Sequence, residues 1–396
     1  MTPLPESVAV NAQAKSSYLA GTNELRQDSE LDAALKDLEK ASLSDPTSAL
    51  VFAGLAEANW MKYNVTKDRS SLERARDAEK ESELRYLDTG AGHRAAADLD
   101  ATDGRYEDAE AELLRAEELE PANAENYRRL GFVYQKNNQF DKALRALRKA
   151  VELEPRYYKA QWRLGTLYSD LGRYKEAVEH LSETVKLMPA LGDARYDLAV
   201  AYADTGQFDK ALQNLKTAQS GAKENFELGT ILMYQNKDGE AIPRLLAAVK
   251  EAPDSYVYWM QLGLAELRTG RRTDSDDANR QGLTLVERQL AENPRDGMAR
   301  AFLGYFCGRL GQTDRSESET KQALQLDPHQ LTVIWMAVQT YEMLHTRAES
   351  LAILRSAPRE MLEDLKRWPN MADLTADSRF IELTAVTTAK KKEKRQ

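Results

Sequence analysis

A chain of 396 residues that is 42% hydrophobic and 30% charged has enough apolar content to build a core, which excludes disorder throughout. Its net charge of -9 and pI near 5.3 argue against a nucleic-acid partner, which calls for a basic surface. A single cysteine, Cys307, rules out an intramolecular disulfide, and no apolar run reaches the roughly 20 residues that a membrane-spanning helix needs.

Residues 1–13 read as a tail. They lack the basic segment followed by an apolar one that marks a secretory leader, so the chain reads as cytoplasmic, or as extracytoplasmic if it belongs to a membrane-anchored signalling protein. From residue 14 the chain repeats itself. A small residue recurs at Gly21, Ala56, Ala97, Gly131, Gly165, Ala199, Gly229, Gly263 and Gly304, and once more as Val338, with 34 residues the commonest spacing. Leu precedes this anchor at Leu130, Leu164, Leu198, Leu228, Leu262 and Leu303. Three residues after it stand Tyr134, Tyr168, Tyr202 and Tyr341; twelve after it stand Ala109, Ala143, Ala177, Ala211 and Ala241. Sixteen after it come Leu113, Leu147, Leu181, Leu215, Leu245 and Leu354, and a proline closes many units, as at Pro121, Pro155, Pro189, Pro253 and Pro328.

Each position has a physical reason. Spacings of three and four set the Leu, the anchor and the Tyr on one face of a first helix. A small anchor opposite the Ala of a second, antiparallel helix lets the two backbones approach closely. Gly172, Gly206, Gly270 and Gly311 fall in the turn between the helices, where a left-handed backbone suits glycine. The proline lacks a backbone donor and stops the second helix. The unit ending near Gly221 is short and lacks its proline, which predicts a sharper turn there. Two units are long. Their extra residues are expected in inter-helix loops, around Val65 to Ser70 and in the acidic stretch Arg271 to Asn279.

Tyr127, Leu130, Gly131, Tyr134, Phe140, Ala143, Leu147, Ala150 and Pro155 together resemble the helix-turn-helix signature of the tetratricopeptide repeat family, and the resemblance extends over residues 14–362. It implies an all-α, right-handed superhelical solenoid of about ten antiparallel helix pairs. Leu374, Phe380, Ile381 and Leu383 are spaced to bury against the last pair, so 363–386 reads as a capping segment and 387–396 as a basic tail. The ends, with Tyr18-Leu19-Ala20-Gly21 and Asp377-Ser378-Arg379-Phe380, are similar to tetratricopeptide regions that accompany serine/threonine kinase or cyclase modules of bacterial signalling proteins.

Chemistry finds little foothold. The four histidines, His93, His180, His329 and His345, belong to separate repeats without metal-ligand spacing, and no phosphate loop or nucleophile elbow is present. Cys307 takes the packing position that Tyr fills elsewhere and reads as a small buried hydrophobe. The chain therefore reads as a non-enzyme without cofactor or metal.

The resemblance implies that first helices line a concave face. The residue three before each anchor then points inward: Arg94, Arg128, Trp162, Tyr196, Phe226, Met260, Ala301 and Trp335, joined by Phe132, Met233, Val257, Leu264, Leu267, Met298 and Tyr305. Two zones are expected. One is a basic cluster of Arg94, Arg128, Arg129, Lys159 and Arg163, suited to an acidic segment. Lys159 and Arg163 match the last pair of the carboxylate clamp that some family members use for chaperone tails, whereas Arg94, Asp98 and Arg129 depart from its lysine and two asparagines. The second zone is an apolar-aromatic groove of Trp162, Tyr196, Phe226, Met233, Met260, Leu264, Leu267, Tyr305 and Trp335. These features point to a scaffold or adaptor that binds a protein or peptide in the groove. The alternatives are the sensory or substrate-recruiting region of a bacterial kinase-type signalling protein, and a self-assembling structural protein that forms a homodimer through the same surface.

Overall fold

The computed structural model describes residues 10–27, 31–86, 88–218 and 221–393, and these are helices joined by short turns. The chain divides into two compact units, Met1–Leu164 and Gly165–Gln396. The first holds α1 (Ala12–Gln27) with α2 (Leu31–Ser44), α3 (Ala49–Thr66) with α4 (Arg69–Tyr86), α5 (Gly90–Thr102) with α6 (Tyr106–Leu119), and α7 (Ala124–Lys136) with α8 (Phe140–Leu153). Helix α9 (Tyr158–Asp170) begins in the first unit and ends in the second. The second unit continues with α10 (Tyr174–Leu187), the pair α11 (Gly192–Asp204) and α12 (Phe208–Ala218), the pair α13 (Ala222–Tyr234) and α14 (Asp238–Glu251), and α15 (Tyr256–Arg268) with α16 (Arg272–Glu292). Helices α17 (Gly297–Arg309) with α18 (Thr313–Leu326) and α19 (Leu331–Met343) with α20 (Arg347–Leu354) complete the pairs. Then come α21 (Arg359–Leu365), a 3-10 turn at Pro369–Met371, α22 (Ala372–Thr375) and α23 (Ser378–Glu393).

The repeat positions do what their chemistry suggests. The Ala twelve after the anchor is fully buried at Ala109, Ala143, Ala177, Ala211 and Ala241. At Gly131, Gly165 and Gly229 the tightest neighbour of the anchor is instead the Leu sixteen on. A Cβ at Gly229 would lie 2.7 Å from Leu245 Cγ, so this leucine fills the space that the missing side chain leaves. The turn residue seven after the anchor is left-handed in repeat after repeat: Gly104, Gly172, Gly206, Gly270 and Gly311, and also Asn138, Asn236 and His345. Asparagine tolerates that region; His345 shows that the turn geometry is imposed by the helix pair rather than by glycine alone.

The extra residues do not form loops. Helix α16 starts at Arg272, behind its N-cap Arg271, runs unbroken past Asn279 and reaches 21 residues, where its counterparts α14 and α18 have 14. In the long early unit, α3 and α4 each reach 18 residues and turn at Lys67 (φ 58°). Seven residues make nearly two helical turns, so a helix lengthened by that amount returns to within about 20° of its starting face. Extension of α16 therefore keeps its buried stripe in register, and a loop is unnecessary there. At the short unit, α12 has 11 residues and α13 starts behind Gly221 (φ 57°); residues 219 and 220 lie outside the described set.

Leu374 and Phe380 are fully buried and Leu383 packs beside them, but Ile381 is 54% exposed and takes no part in the cap. Their core includes Leu351 and Leu354 of α20 and extends to Ile242, Leu245 and Leu262 of α14 and α15. The cap thus belongs to a larger core than the last pair. The side chains of the basic tail, from 386 on, lie outside the described residues.

Candidate functional site

In the first unit the array curves until its ends meet. Arg26 of α1 pairs with Glu154 at 2.6 Å, and Lys159 donates to the Leu25 carbonyl at 3.1 Å. First helices line the interior, a cavity of about 190 Å³ bordered by Tyr18, Glu57, Arg94, Glu125, Tyr157 and Lys159. The structure brings Arg94, Arg128, Arg129 and Lys159 together here, but not as a free basic patch. Arg129, 4% exposed, meets Asp98 at 2.8 Å, Glu125 at 2.7 Å and also Glu57. Arg128 pairs with Glu125 at 2.6 Å, and Arg94 with Glu120 at 2.6 Å and with the Asn126 side-chain carbonyl at 2.9 Å. Arg163 lies over the Phe132 ring, 5.0 Å from its centre. The expected cluster for an acidic segment is therefore corrected to an internal ion-pair network in which carboxylates already hold the arginines.

The charges show it. Burial pushes Asp98 up to about 7 against the pull of Arg129. Burial acts the same way on Glu125, yet Arg128 and Arg129 hold it well below the ordinary carboxylate range. Burial lifts the Tyr18 hydroxyl to about 12, and Tyr157, which donates to Glu125, is raised further. Glu57, Asp98, Glu125, Tyr18 and Tyr157 were absent from the expected site. A signal existed: Glu57 and Asp98 each follow an anchor directly, on the face that carries Arg94 and Arg128.

The second unit also bends back on itself. Leu331 of α19 and Pro358 abut the α9–α10 turn at Gly172. Segment 357–371 then enters the concave face of α11 and α13. Its Trp368 packs tilted against Tyr234, ring centres 4.4 Å apart, and approaches Trp335 at 5.7 Å. The Tyr234 hydroxyl donates to Asp364 at 3.1 Å, and the Arg367 guanidinium donates to the Asp204 carbonyl. A cleft of about 340 Å³ remains between Tyr174, Phe226, Leu331, Trp335, Met361 and Trp368.

This placement sorts the expected groove residues. Phe226 and Trp335 line the cleft, and Tyr196 is half-buried near Asp204 and Glu227. Met233, Met260, Leu264 and Tyr305 are buried instead and face no open groove. Met233 and Leu264 belong to the core that receives Trp368, whereas Met260 and Tyr305 pack with Phe302, Phe306 and Met336. Leu267 and Trp162 are half-buried and line neither cavity. Cys307 is fully buried, and burial pushes its thiol up to about 11, which suits packing and not nucleophilic attack. Among the described residues no group of three or more His, Cys, Asp or Glu could hold a metal ion, and no helix is long and apolar enough to cross a membrane.

One family model of the tetratricopeptide repeat matches residues 128–191 and 226–276, and a second matches residues 169–227. Residues 128–276 are tetratricopeptide repeats. The chain's repeats outside that window keep the same helix pairing with less of the signature. Among solved structures the chain is similar to a human IFIT1 dimer with PPP-AAAA, at 20% identity and a TM-score of 0.50, covering 79% of this chain and 72% of that one. A monomeric IFIT1 mutant with m7Gppp-AAAA gives 19% identity and a TM-score of 0.51 over 79% and 71%. The MamA protein gives 23% identity over 43% of this chain and 94% of its own, with a TM-score of 0.36. At such identities the likeness to IFIT1 speaks for the tetratricopeptide fold alone. No curated protein matches the sequence. Tetratricopeptide arrays are in general protein-interaction scaffolds, and this chain is one at that level of description.

Proposed function

We propose that the chain is a non-catalytic adaptor that holds a helical segment of another protein on the concave face of its second unit. The observation that supports this most is the occupant already there. The α11–α13 face receives a short segment whose Met361, Leu362, Leu365 and Trp368 are all buried, side chains of the kind with which helices fill grooves. The adjoining cleft keeps Phe226, Leu331 and Trp335 available to a further side chain. Aromatic walls of this kind bury large area at low entropic cost.

The first unit's interior suits a polyanion poorly, because Glu57, Asp98, Glu120 and Glu125 already take the guanidinium donors that phosphates would need. A protein partner is the better fit. The test is a pull-down with Phe226→Ala combined with Leu331→Ala. Loss of partner capture at unchanged helical circular dichroism supports the reading, and undiminished capture overturns it.

A further inference from the structure

Helix α21 meets the groove with a charge that does not suit it. Asp204 of α11, Glu227 of α13 and Asp364 of α21 lie near one another, Asp204 and Asp364 on the wall of the same cleft, and the Arg367 guanidinium sits beside these two. Arg367 donates at 2.7 Å to Asp364 and also to the Asp204 main-chain carbonyl, while its Nε is enclosed without an acceptor. Among the described residues neither Asp204 nor Glu227 has an ion-pair partner, and Glu227 is only 5% exposed. Docking of α21 therefore adds a third carboxylate to a floor that already carries two. Its apolar side fits; its acid does not.

We propose that the concave face of α11 and α13 is built for a partner protein's amphipathic helix that carries a cation where α21 carries Asp364, and that α21 with Trp368 occupies the face in cis as a weaker stand-in. This rests on the reading of that face as the partner groove. Three features carry it. Met361 and Leu365 share one face of α21 at i, i+4, and Trp368, in extended backbone just past the helix, is the aromatic anchor whose pocket Tyr234 and Trp335 wall. A helix with cations at the positions of Asp364 and Arg367 sets two positive charges against the two floor carboxylates, where the stand-in offers one. Finally, α21 has 7 residues between Pro358 and Pro369, so it can leave as a unit without unwinding a helix pair. The partner need only bind the open groove more tightly than the cis segment does.

Two fluorescent peptides with the sequence of residues 357–371, one unaltered and one with Asp364→Lys, are titrated into the full chain and followed by anisotropy. A second titration uses the full chain with Trp368→Ala, which loosens the cis segment. The lysine peptide should bind the unaltered chain about tenfold more tightly than the native-sequence peptide. Trp368→Ala should strengthen both, and Asp204→Asn with Glu227→Gln should cancel the preference. The last comparison does not depend on how Trp368→Ala folds. Equal affinity of the two peptides overturns the charge rule and leaves the groove standing; no binding of either peptide to either protein overturns the groove itself.

Discussion

Arg129→Ala puts the interior network of the first unit to the test. Arg129 is 4% exposed and holds Asp98 at 2.8 Å, Glu125 at 2.7 Å and Glu57. Its removal leaves Asp98, itself buried, facing two other carboxylates. Breaking a buried pair from one side costs about 3–5 kcal/mol. Burial lifts Asp98 from 3.8 to about 7 even with Arg129 in place, and loss of Arg129 raises it further. The sign follows from the raised value. Asp98's contribution is fully present below its unfolded pKa near 3.8 and is lost as pH rises through about 7. The variant should therefore be destabilised strongly at pH 8 and much less at pH 5, where Asp98 holds its proton. Repeat arrays open locally, so amide hydrogen exchange in α5 and α7 is the proper readout, beside urea unfolding. A deficit below ~1 kcal/mol at pH 8, or one equal at both pH values, refutes the reasoning.

Asp98→Ala with Arg129→Met should recover most of the loss, since apolar replacements of a buried pair are often neutral; a double variant as weak as the single one argues against the pair as its cause. Gly229→Ala should cost roughly 1–3 kcal/mol by urea unfolding, because its Cβ meets Leu245 Cγ at 2.7 Å, and relief by Leu245→Ala would locate the clash. Hydrogen exchange of α21 should quicken from pH 5 to pH 8. Burial, then the neighbouring acids, raises Asp204 and Glu227, the latter from 4.5 to about 7, and burial raises Asp364 against the pull of Arg367, with Tyr234 the other facing group. Docking is therefore favoured while these acids hold protons and is lost as pH rises through about 7. After correction for intrinsic exchange, protection that is flat or rises with pH contradicts this. Trp368→Ala should admit protease between residues 355 and 377 while the helix pairs keep their circular dichroism, for it removes contacts to Tyr234 and Trp335.

The repeat phase was open to reading because each signal is local. An anchor, a leucine sixteen on, a turn residue and a closing proline all act within one helix pair. The extra residues of α16 were visible as length but not as helix, because seven residues satisfy a loop and two helical turns equally well. Charge at the inner positions was legible as cations. Their partners were not, since Glu57 and Asp98 lie one position past the anchor and meet Arg129 only when α3, α5 and α7 stack. Burial of Met233 and Leu264 escaped for a different reason. It depends on α19 reaching the α9–α10 turn and on a segment 130 residues away from Tyr234 returning to its ring, and no helical period encodes such a distance.

Hydrogen exchange on the full chain, with and without the lysine-bearing peptide, tests the central claim most directly. If the α11–α13 face is a partner groove held in cis, the peptide should strip protection from residues 359–368 while α13 stays protected beneath the new occupant. Unchanged protection of residues 359–368 at saturating peptide would contradict it.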